Sequence, residues 1–169
     1  MDEIADLIEP QIPALRRYAF ALLRDREAAD DLVQDTLVRA IANWSGRQRE
    51  GDLRAWLFTI ERNLFLGLLR RRGRKGPHVG SETLEHLPDA TANQAAALDA
   101  RDVLAGIDAL PEELRSVLLL VAVEDLSYAD AASVLAIPIG TVMSRLSRAR
   151  ERLRSFMETG VPGLLRRVK

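Results

Sequence analysis

The chain places serine and arginine side chains on one face of a predicted helix between Asp125 and Arg154. Apolar residues recur there at spacings of four, three and four, which predicts one buried stripe: Val142, Leu146, Ala149 and Leu153. The opposite face and its flank carry polar and charged residues: Ser144, Arg145, Ser147, Arg148, Glu151 and Arg152. Arginine binds guanine edges with two hydrogen bonds, and serine reaches bases or phosphates. This face therefore predicts contact with the major groove of DNA.

A shorter helix precedes this face. Ser127 and Asp130 have the spacing of a capping box, so a helix is expected to begin there. The small Ala131 and Ala132 give it an apolar face that a second helix can cross closely, and Pro138 ends it and opens the next helix. The segment is thus predicted to be a helix-turn-helix, and the alternative is an amphipathic helix of an ordinary bundle.

Composition favours a binding protein of helices over an enzyme. The 169 residues are 47% hydrophobic and only 5% aromatic, which favours an all-α fold of one or two domains. Cysteine is absent, so disulfides, thiolate metal sites and cysteine nucleophiles are excluded. His78 and His86 lack the spacing of metal ligands, and no glycine-rich phosphate loop is present. No cofactor or metal is expected.

The first ten residues, MDEIADLIEP, are acidic and contain no uninterrupted apolar run, so they do not resemble a secretory signal. No stretch of about 18 apolar residues occurs in the sequence, so no membrane insertion is expected. The predicted location is the cytoplasm.

The net charge of −1 conceals four blocks of charge. Residues 1–52 carry −4 and residues 76–138 carry −9, whereas residues 53–75 and 139–169 carry +6 each. Two separate basic segments predict two contacts with a polyanion. The acidic blocks would repel nucleic acid and are expected to face protein.

Three helices are predicted in the first half: Pro13–Leu23, a helix capped by Asp25 that runs to Asn43, and Leu53–Arg72. The second has a near-ideal buried stripe: Ala29, Leu32, Val33, Leu37, Ala40, Ile41 and Trp44. The third buries these residues: Leu53, Trp56, Leu57, Ile60, Leu64 and Leu68. The polar loop Asn43–Asp52 between them is expected to be irregular.

The stretch Gly73–Thr91 breaks every periodicity with glycine and proline and is expected to be a linker. Four helices are predicted after it: 95–109, 112–123 and the two of the helix-turn-helix. The predicted organisation is a first domain at 1–75, a linker at 76–94, a second domain at 95–159 and a tail at 160–169.

Three strings, in this order, resemble RNA polymerase sigma factors of the extracytoplasmic function class, which have only the second and fourth sigma domains. They are ADDLVQDTLVRAI (Ala29–Ile41), LRAWLFTIERNLFLGLLRRR (Leu53–Arg72) and LSYADAASVLAIPIGTVMSRLSRARERLR (Leu126–Arg154). The resemblance covers both predicted domains. The string LRAWLFTIERN is similar to the branch concerned with general stress responses.

The resemblance implies that the helix at 30–40 binds the clamp of core polymerase, through an acidic and partly apolar face: Asp31, Gln34, Asp35 and Val38. It implies that loop 43–52 and the following helix recognise and open the −10 element. The polar groups and the basic track expected there are Ser45, Arg47, Gln48, Arg49, Arg54, Arg62, Asn63, Arg70, Arg71 and Arg72. Trp44 and Trp56 are expected in the core, whereas Phe58 and Phe65 remain open between core packing and base stacking.

The resemblance also implies that the helix-turn-helix binds the −35 element, through Thr141, Ser144, Arg145, Ser147 and Arg148. Met143 departs from the family pattern, in which lysine or arginine is common. This departure removes a phosphate or base contact, so the −35 preference of the family is not carried over to this chain. Ala136, where glycine is frequent, and the small Ala131 and Ala132 indicate tight helix packing.

The sequence thus predicts a sigma factor for a stress-type regulon. Its expected partners are core RNA polymerase (the β′ clamp and the β flap), promoter DNA and an anti-sigma factor. The alternative is a two-domain helix-turn-helix regulator that binds an operator as a dimer. A sensor domain has no need of the basic segment 53–75, which disfavours that alternative, and two +6 segments disfavour a pure protein-interaction module.

Overall fold

The computed structural model describes residues 2–47, 51–73 and 94–160, and every regular element in those ranges is helical. The elements are α1 (Asp2–Ile8), a 3-10 turn (Glu9–Gln11), α2 (Ile12–Leu23), α3 (Arg26–Ala42), a 3-10 turn (Trp44–Gly46), α4 (Leu53–Gly73), α5 (Gln94–Asp108), α6 (Glu112–Leu118) with a π-helical extension (Leu119–Val123), α7 (Tyr128–Leu135) and α8 (Ile139–Thr159). The predicted all-α fold is confirmed. Helix α1 and the turn after it were not predicted.

Helices α2, α3 and α4 pack together as the first domain. Its centre is an edge-to-face contact between Tyr18 and Phe58, whose ring centroids lie 5.3 Å apart. Phe58 and Phe65 are both buried, so core packing is what the structure supports for these two rings.

Helix α3 begins as predicted, because the carboxylate of Asp25 accepts a hydrogen bond from the backbone N–H of Ala28 at 3.0 Å. Its buried stripe differs from the prediction at the end of the helix. Thr36 is buried because its hydroxyl donates to the carbonyl of Leu32 at 2.8 Å, and the buried face then continues to Ala40. Ile41 is consequently turned outward and is 50% exposed, so its predicted burial is wrong.

Helices α5 to α8 form the second domain, in which α8 packs against the other three. The hydroxyl of Ser127 accepts a hydrogen bond from the N–H of Asp130 at 3.0 Å, which confirms the predicted start of α7. The chain turns through 100° between α7 and α8, with Ala136 in the left-handed region at φ 52°. These two helices have the arrangement of a helix-turn-helix.

The two domains also pack against each other, chiefly through α4 and α7. Ala131 and Ala132 of α7 are buried. Small side chains at these positions let neighbouring helices approach closely, and α7 packs chiefly against α8 and α4. This docking of one domain on the other was not predicted from the sequence.

Candidate nucleic-acid and polymerase interfaces

Two arginines of the first domain hold one buried carboxylate of the second. Glu124, only 2% exposed, follows the π-helical extension of α6. Arg17 donates to both of its carboxylate oxygens at 3.1 and 2.9 Å, and Arg54 donates to its Oε2 at 2.6 Å and to its backbone carbonyl at 3.1 Å. The charge of Glu124 is therefore fully compensated from the other domain.

A second polar cluster joins α4 to α6. Arg62 is paired with Glu112 and donates to the hydroxyl of Ser116 at 2.9 Å. The Ser116 hydroxyl donates to Glu112 at 2.8 Å and accepts from Tyr18 at 3.3 Å. Burial is the largest single influence on Glu112 and opposes its ionisation. The hydrogen bonds from Arg62 and Ser116, together with the charges of Arg62 and Arg115, outweigh burial and lower the pKa of Glu112.

The edge of the interface carries further polar contacts between the domains. Arg24, at the end of α2, pairs with Asp108 at the end of α5. Arg115 of α6 donates to the backbone carbonyl of Ala21 in α2 at 3.3 Å. Three carboxylates of the acidic block 76–138 thus face the first half of the same chain: Asp108, Glu112 and Glu124. Other carboxylates of the block, such as Asp99, Asp102 and Glu113, are exposed, so the expectation holds only for part of it.

These contacts correct the predicted basic track along α4. Arg62 is only 8% exposed and Arg54 is half-buried, so neither presents a free guanidinium to solvent in this arrangement. A buried guanidinium needs a carboxylate partner, and the second domain supplies one to each. Four residues of the track are exposed as predicted: Asn63, Arg70, Arg71 and Arg72.

The loop after α3 builds an aromatic cluster that the sequence did not predict. The rings of Trp44 and Trp56 meet edge-to-face with centroids 6.0 Å apart, and both residues are half-buried rather than enclosed in the core. The guanidinium of Arg47 lies 5.3 Å from the Trp44 ring and 5.9 Å from the Trp56 ring. Ser45 beside them is exposed, whereas Gln48 and Arg49 lie outside the described residues.

The predicted polymerase-binding face of α3 is open to solvent. All four of its residues are exposed, and Val38 shows 68% of its surface. The outward-turned Ile41 follows Val38 after three residues on the same helix, so it extends the apolar part of this face. Sequence analysis missed Ile41 because its spacing also matched the buried stripe.

The predicted DNA-binding face of α8 is also largely exposed. Ser144, Ser147 and Arg148 face solvent, while Thr141 and Arg145 are half-buried. Arg145 lies 3.9 Å from Glu113 of α6. Two further exposed arginines, Arg150 and Arg154, stand beside this face and were not among the predicted contacts, although their spacing from Ser147 places them there.

One buried carboxyl group lies outside all of these pairs. Glu61 of α4 is fully buried, and neither of its carboxylate oxygens has a hydrogen-bond partner in the described residues. Burial, with a smaller contribution from the charge of Glu124, raises the pKa of Glu61 to about 9. Tyr18 faces the same region, and burial raises its pKa to about 12.

Among the described residues, no cluster of three or more histidine, cysteine, aspartate or glutamate side chains is placed to hold a metal ion. In the same ranges no single helix is long and apolar enough to cross a membrane. Only α7 and α8 taken together, across their 100° bend, have the length and composition for one.

Two family models match the chain in the order that the fold suggests. Residues 8–61 match the sigma2 domain of PhyR, and residues 100–153 match region 4 of sigma-70. The first match covers most of α2 to α4, and the second covers the helix-turn-helix with the helices that support it.

Curated relatives match over nearly the whole chain. The ECF RNA polymerase sigma factor EcfG of Rhodopseudomonas palustris (strain TIE-1) is 39% identical, over 92% of this chain and 86% of its own. The ECF RNA polymerase sigma factor SigE of Mycolicibacterium smegmatis is 33% identical, over 90% of this chain and 60% of its own length.

Among solved structures, the sigma factor RpoE from Bartonella quintana, crystallised with the anti-sigma factor NepR, superposes with a TM-score of 0.82 at 31% identity, over 95% of this chain and 100% of that one. The chain belongs to the family of ECF RNA polymerase sigma factors. The resemblance inferred from the three sequence strings is thereby confirmed.

Proposed function

We propose that this chain directs core RNA polymerase to the promoters of a stress-type regulon, and that an anti-sigma factor controls it. The observation that carries the proposal is the order of its two domains, a sigma2 match followed by a sigma-70 region 4 match, over a chain that aligns with EcfG along most of its length. The activity consists of binding and strand opening, without covalent chemistry, and it takes place in the cytoplasm with the chromosome.

In this proposal the exposed α3 face binds the polymerase clamp. An apolar centre of Val38 and Ile41 is flanked by the carboxylates of Asp31 and Asp35, all exposed. An apolar patch rimmed by charge is the usual composition of a protein interface. Nothing in the described part of the chain covers it.

The two arginine-containing surfaces divide the promoter between them. The aromatic cluster of Trp44, Trp56 and Arg47, together with α4, serves the −10 element, where an unstacked base needs a stacking surface near cationic groups. The exposed face of α8 serves the −35 element in the major groove. The domain boundaries proposed for this division are those of the sequence analysis, with Gln48 and Arg49 assigned to the −10 surface by sequence alone.

The closed arrangement of the two domains favours control by a protein that acts on their contact. Arg54 and Arg62 reach DNA only after Glu124 and Glu112 release them, so the domains must separate before the −10 surface is complete. The RpoE sigma factor was solved in complex with NepR. We propose that a NepR-type anti-sigma factor binds this chain and that polymerase competes for it.

Run-off transcription with purified core polymerase on genomic fragments tests the proposal. The chain should direct initiation at a specific set of promoters, and the double variant Asp31→Arg with Asp35→Arg should lose both core binding and transcription at unchanged helicity. The matched control is the double variant Asp99→Arg with Asp102→Arg, which reverses the charge of two exposed carboxylates on α5. It should retain both core binding and transcription.

Two results would decide against the proposed sigma function, and a third would decide only against the role of α3. Tight operator binding by a dimer of the chain without polymerase supports the regulator alternative. Binding to an anti-sigma factor without any transcription would mean that the chain resembles a sigma factor but does not work with polymerase. Normal competition for core polymerase by the double variant removes the clamp role from α3 while leaving the sigma function intact.

A further inference from the structure

Large apolar side chains occupy exposed positions at the start of α8. Ile139 is 49% exposed and Met143, one turn later, is 53% exposed. The buried stripe of the helix runs through Val142 and Leu146 on the adjacent face. Ile139 and Met143 therefore contribute nothing to the core of the second domain, and we call them the apolar strip of α8.

The apolar strip lies among groups suited to a nucleic acid. Met143 borders a shallow groove of about 320 Å³, whose other lining residues are Tyr128, Leu146, Ser147, Arg150, Glu151 and Arg154. Arg150 and Arg154 are exposed, and neither forms an ion pair within the described residues. The groove thus combines apolar side chains with two arginines and one glutamate, Glu151. This excess of positive charge beside an apolar surface is complementary to an anionic polymer that carries apolar groups.

The major groove of DNA presents one apolar group at base level, the 5-methyl of thymine. In helix-turn-helix proteins the first residues of the recognition helix face the base edges. Met143 is the fifth residue of α8, and the flexible, unbranched methionine side chain adapts to an irregular apolar contact. Ser147, one turn later, and Arg150 line the same groove, where hydrogen bonds to neighbouring bases or phosphates are available.

We propose that Met143, supported by Ile139, recognises a thymine in the −35 element through contact with its 5-methyl group. This inference rests on the proposed sigma function and names the base that the recognition helix selects by an apolar contact. Because the contact carries no charge, it contributes to base preference without adding to the salt dependence of binding.

Substitution of deoxyuridine for thymine tests the proposal, because it removes only the methyl group. The reconstituted holoenzyme is titrated with promoter duplexes in which each −35 thymine, on either strand, is replaced in turn. With the natural chain, one or two positions should weaken binding by about fourfold, the effect of burying one methyl group. With Met143→Ala, the same replacement should have no further effect, which would establish that residue and methyl are coupled.

Met157→Ala is the matched control, since Met157 is also an exposed methionine, at 41%, and lies at the far end of the same helix. It should retain the full deoxyuridine effect. Alanine at either position is a good helix former, and circular dichroism should show unchanged helicity.

Each other outcome overturns the proposal. A −35 element without thymine, a deoxyuridine scan without effect, or an undiminished effect in Met143→Ala excludes the methyl contact. Loss of anti-sigma factor binding in Met143→Ala with unchanged DNA binding would assign the apolar strip to a protein interface. Failure of the sigma function itself is distinct, because the natural chain would then give no −35 protection on any template.

Discussion

The two basic segments carry the same net charge of +6 but meet different surroundings in the fold. In α4, Arg54 and Arg62 are held by carboxylates of the second domain. In α8, Arg148 and Arg150 face solvent and form no ion pair within the described residues. Charge counted along a sequence therefore indicates which segments can bind a polyanion, but packing decides which of them are available to do so.

The difference has a physical cause in the acidic block 76–138. Its carboxylates Glu112 and Glu124 have their partners on the first domain, and both lie within the interface. A DNA phosphate approaching Arg54 or Arg62 must displace a carboxylate that already satisfies the guanidinium. A phosphate approaching Arg148 displaces only water and counterions.

The largest expected effect comes from removal of both interdomain carboxylates. Glu112→Gln with Glu124→Gln leaves buried guanidinium groups without an anionic partner, and breaking one such pair typically costs about 3–5 kcal/mol. We expect the domains to separate. The chain has no native cysteine, so dyes on Glu27→Cys and Glu158→Cys report the distance specifically by energy transfer.

Glu113→Gln is the control for this experiment, because Glu113 is an exposed glutamate of the same helix and lies 3.9 Å from Arg145. It should leave the distance between the dyes unchanged. If the double variant also leaves the distance between the dyes unchanged, the carboxylates do not hold the domains together. They would then not explain why the arginines of α4 are less available than those of α8.

A smaller effect is expected at Glu61, the one carboxyl group of this region that no arginine compensates. Its raised pKa, about 9, means that the folded chain keeps a proton that the unfolded chain releases near the ordinary value of 4.5. The stabilisation is complete below that value and is lost as pH rises toward about 9, by about 1.4 kcal/mol per pH unit. Glu61→Gln should remove this slope and raise the free energy of unfolding near pH 7 by about 3 kcal/mol.

Urea denaturation at a series of pH values measures the slope, and the difference between the natural chain and the variant isolates Glu61 from other titrating groups. The variant Glu113→Gln should keep the slope of the natural chain. Parallel curves for Glu61→Gln and the natural chain would mean that Glu61 is ionised and solvated in the folded protein.

The smallest of the three expected effects is the loss of DNA binding from Arg148→Ala. It is best measured beside Arg62→Ala, which changes one arginine of the other basic segment. Arg148→Ala should weaken −35 binding by about 1–3 kcal/mol without changing the free energy of unfolding, if its contact with guanine is bidentate. Arg62→Ala should destabilise the chain, because it leaves Glu112 without its main partner. Filter binding to −35 DNA and urea denaturation, applied to both variants, test whether Arg148 acts in DNA binding and Arg62 in stability.

Arg148→Lys sharpens this comparison, since it keeps the charge and removes the planar pair of donors. We expect it to retain phosphate attraction but to lose most of the base preference. Equal losses of stability from the alanine variants of Arg62 and Arg148 would contradict the difference between the two segments.

Features set by local chemistry were predictable from the sequence. The Asp25 cap fixed the start of α3, the Ser127 cap fixed the start of α7, and Pro138 marked the turn of the helix-turn-helix. Each cap depends on a side chain within three residues of the backbone N–H that it satisfies, and Pro138 acts through its own restricted φ.

Features set by distant contacts were not predictable in the same way. Arg54 and Glu124 are 70 residues apart, and nothing in either neighbourhood indicates that they meet. The exposed side of Ile41 depends on the burial of Thr36, a polar residue that periodicity assigns to solvent. The sequence thus predicted which residues belong to the candidate site, whereas only the packing shows which of them are exposed for binding.

The π-helical extension of α6 makes the interdomain contact sensitive to a change in residue number. The N–H of Glu124 bonds to the carbonyl of Leu119, five residues earlier, so this turn holds one residue more than an α-helical turn. Deletion of Val121 would restore ordinary helix and rotate Glu124 by about 100° about the helix axis, away from Arg17 and Arg54. A single deletion that alters neither charge nor polarity would thereby uncouple the two domains, so relatives that differ by one residue in this turn should differ in how their domains dock.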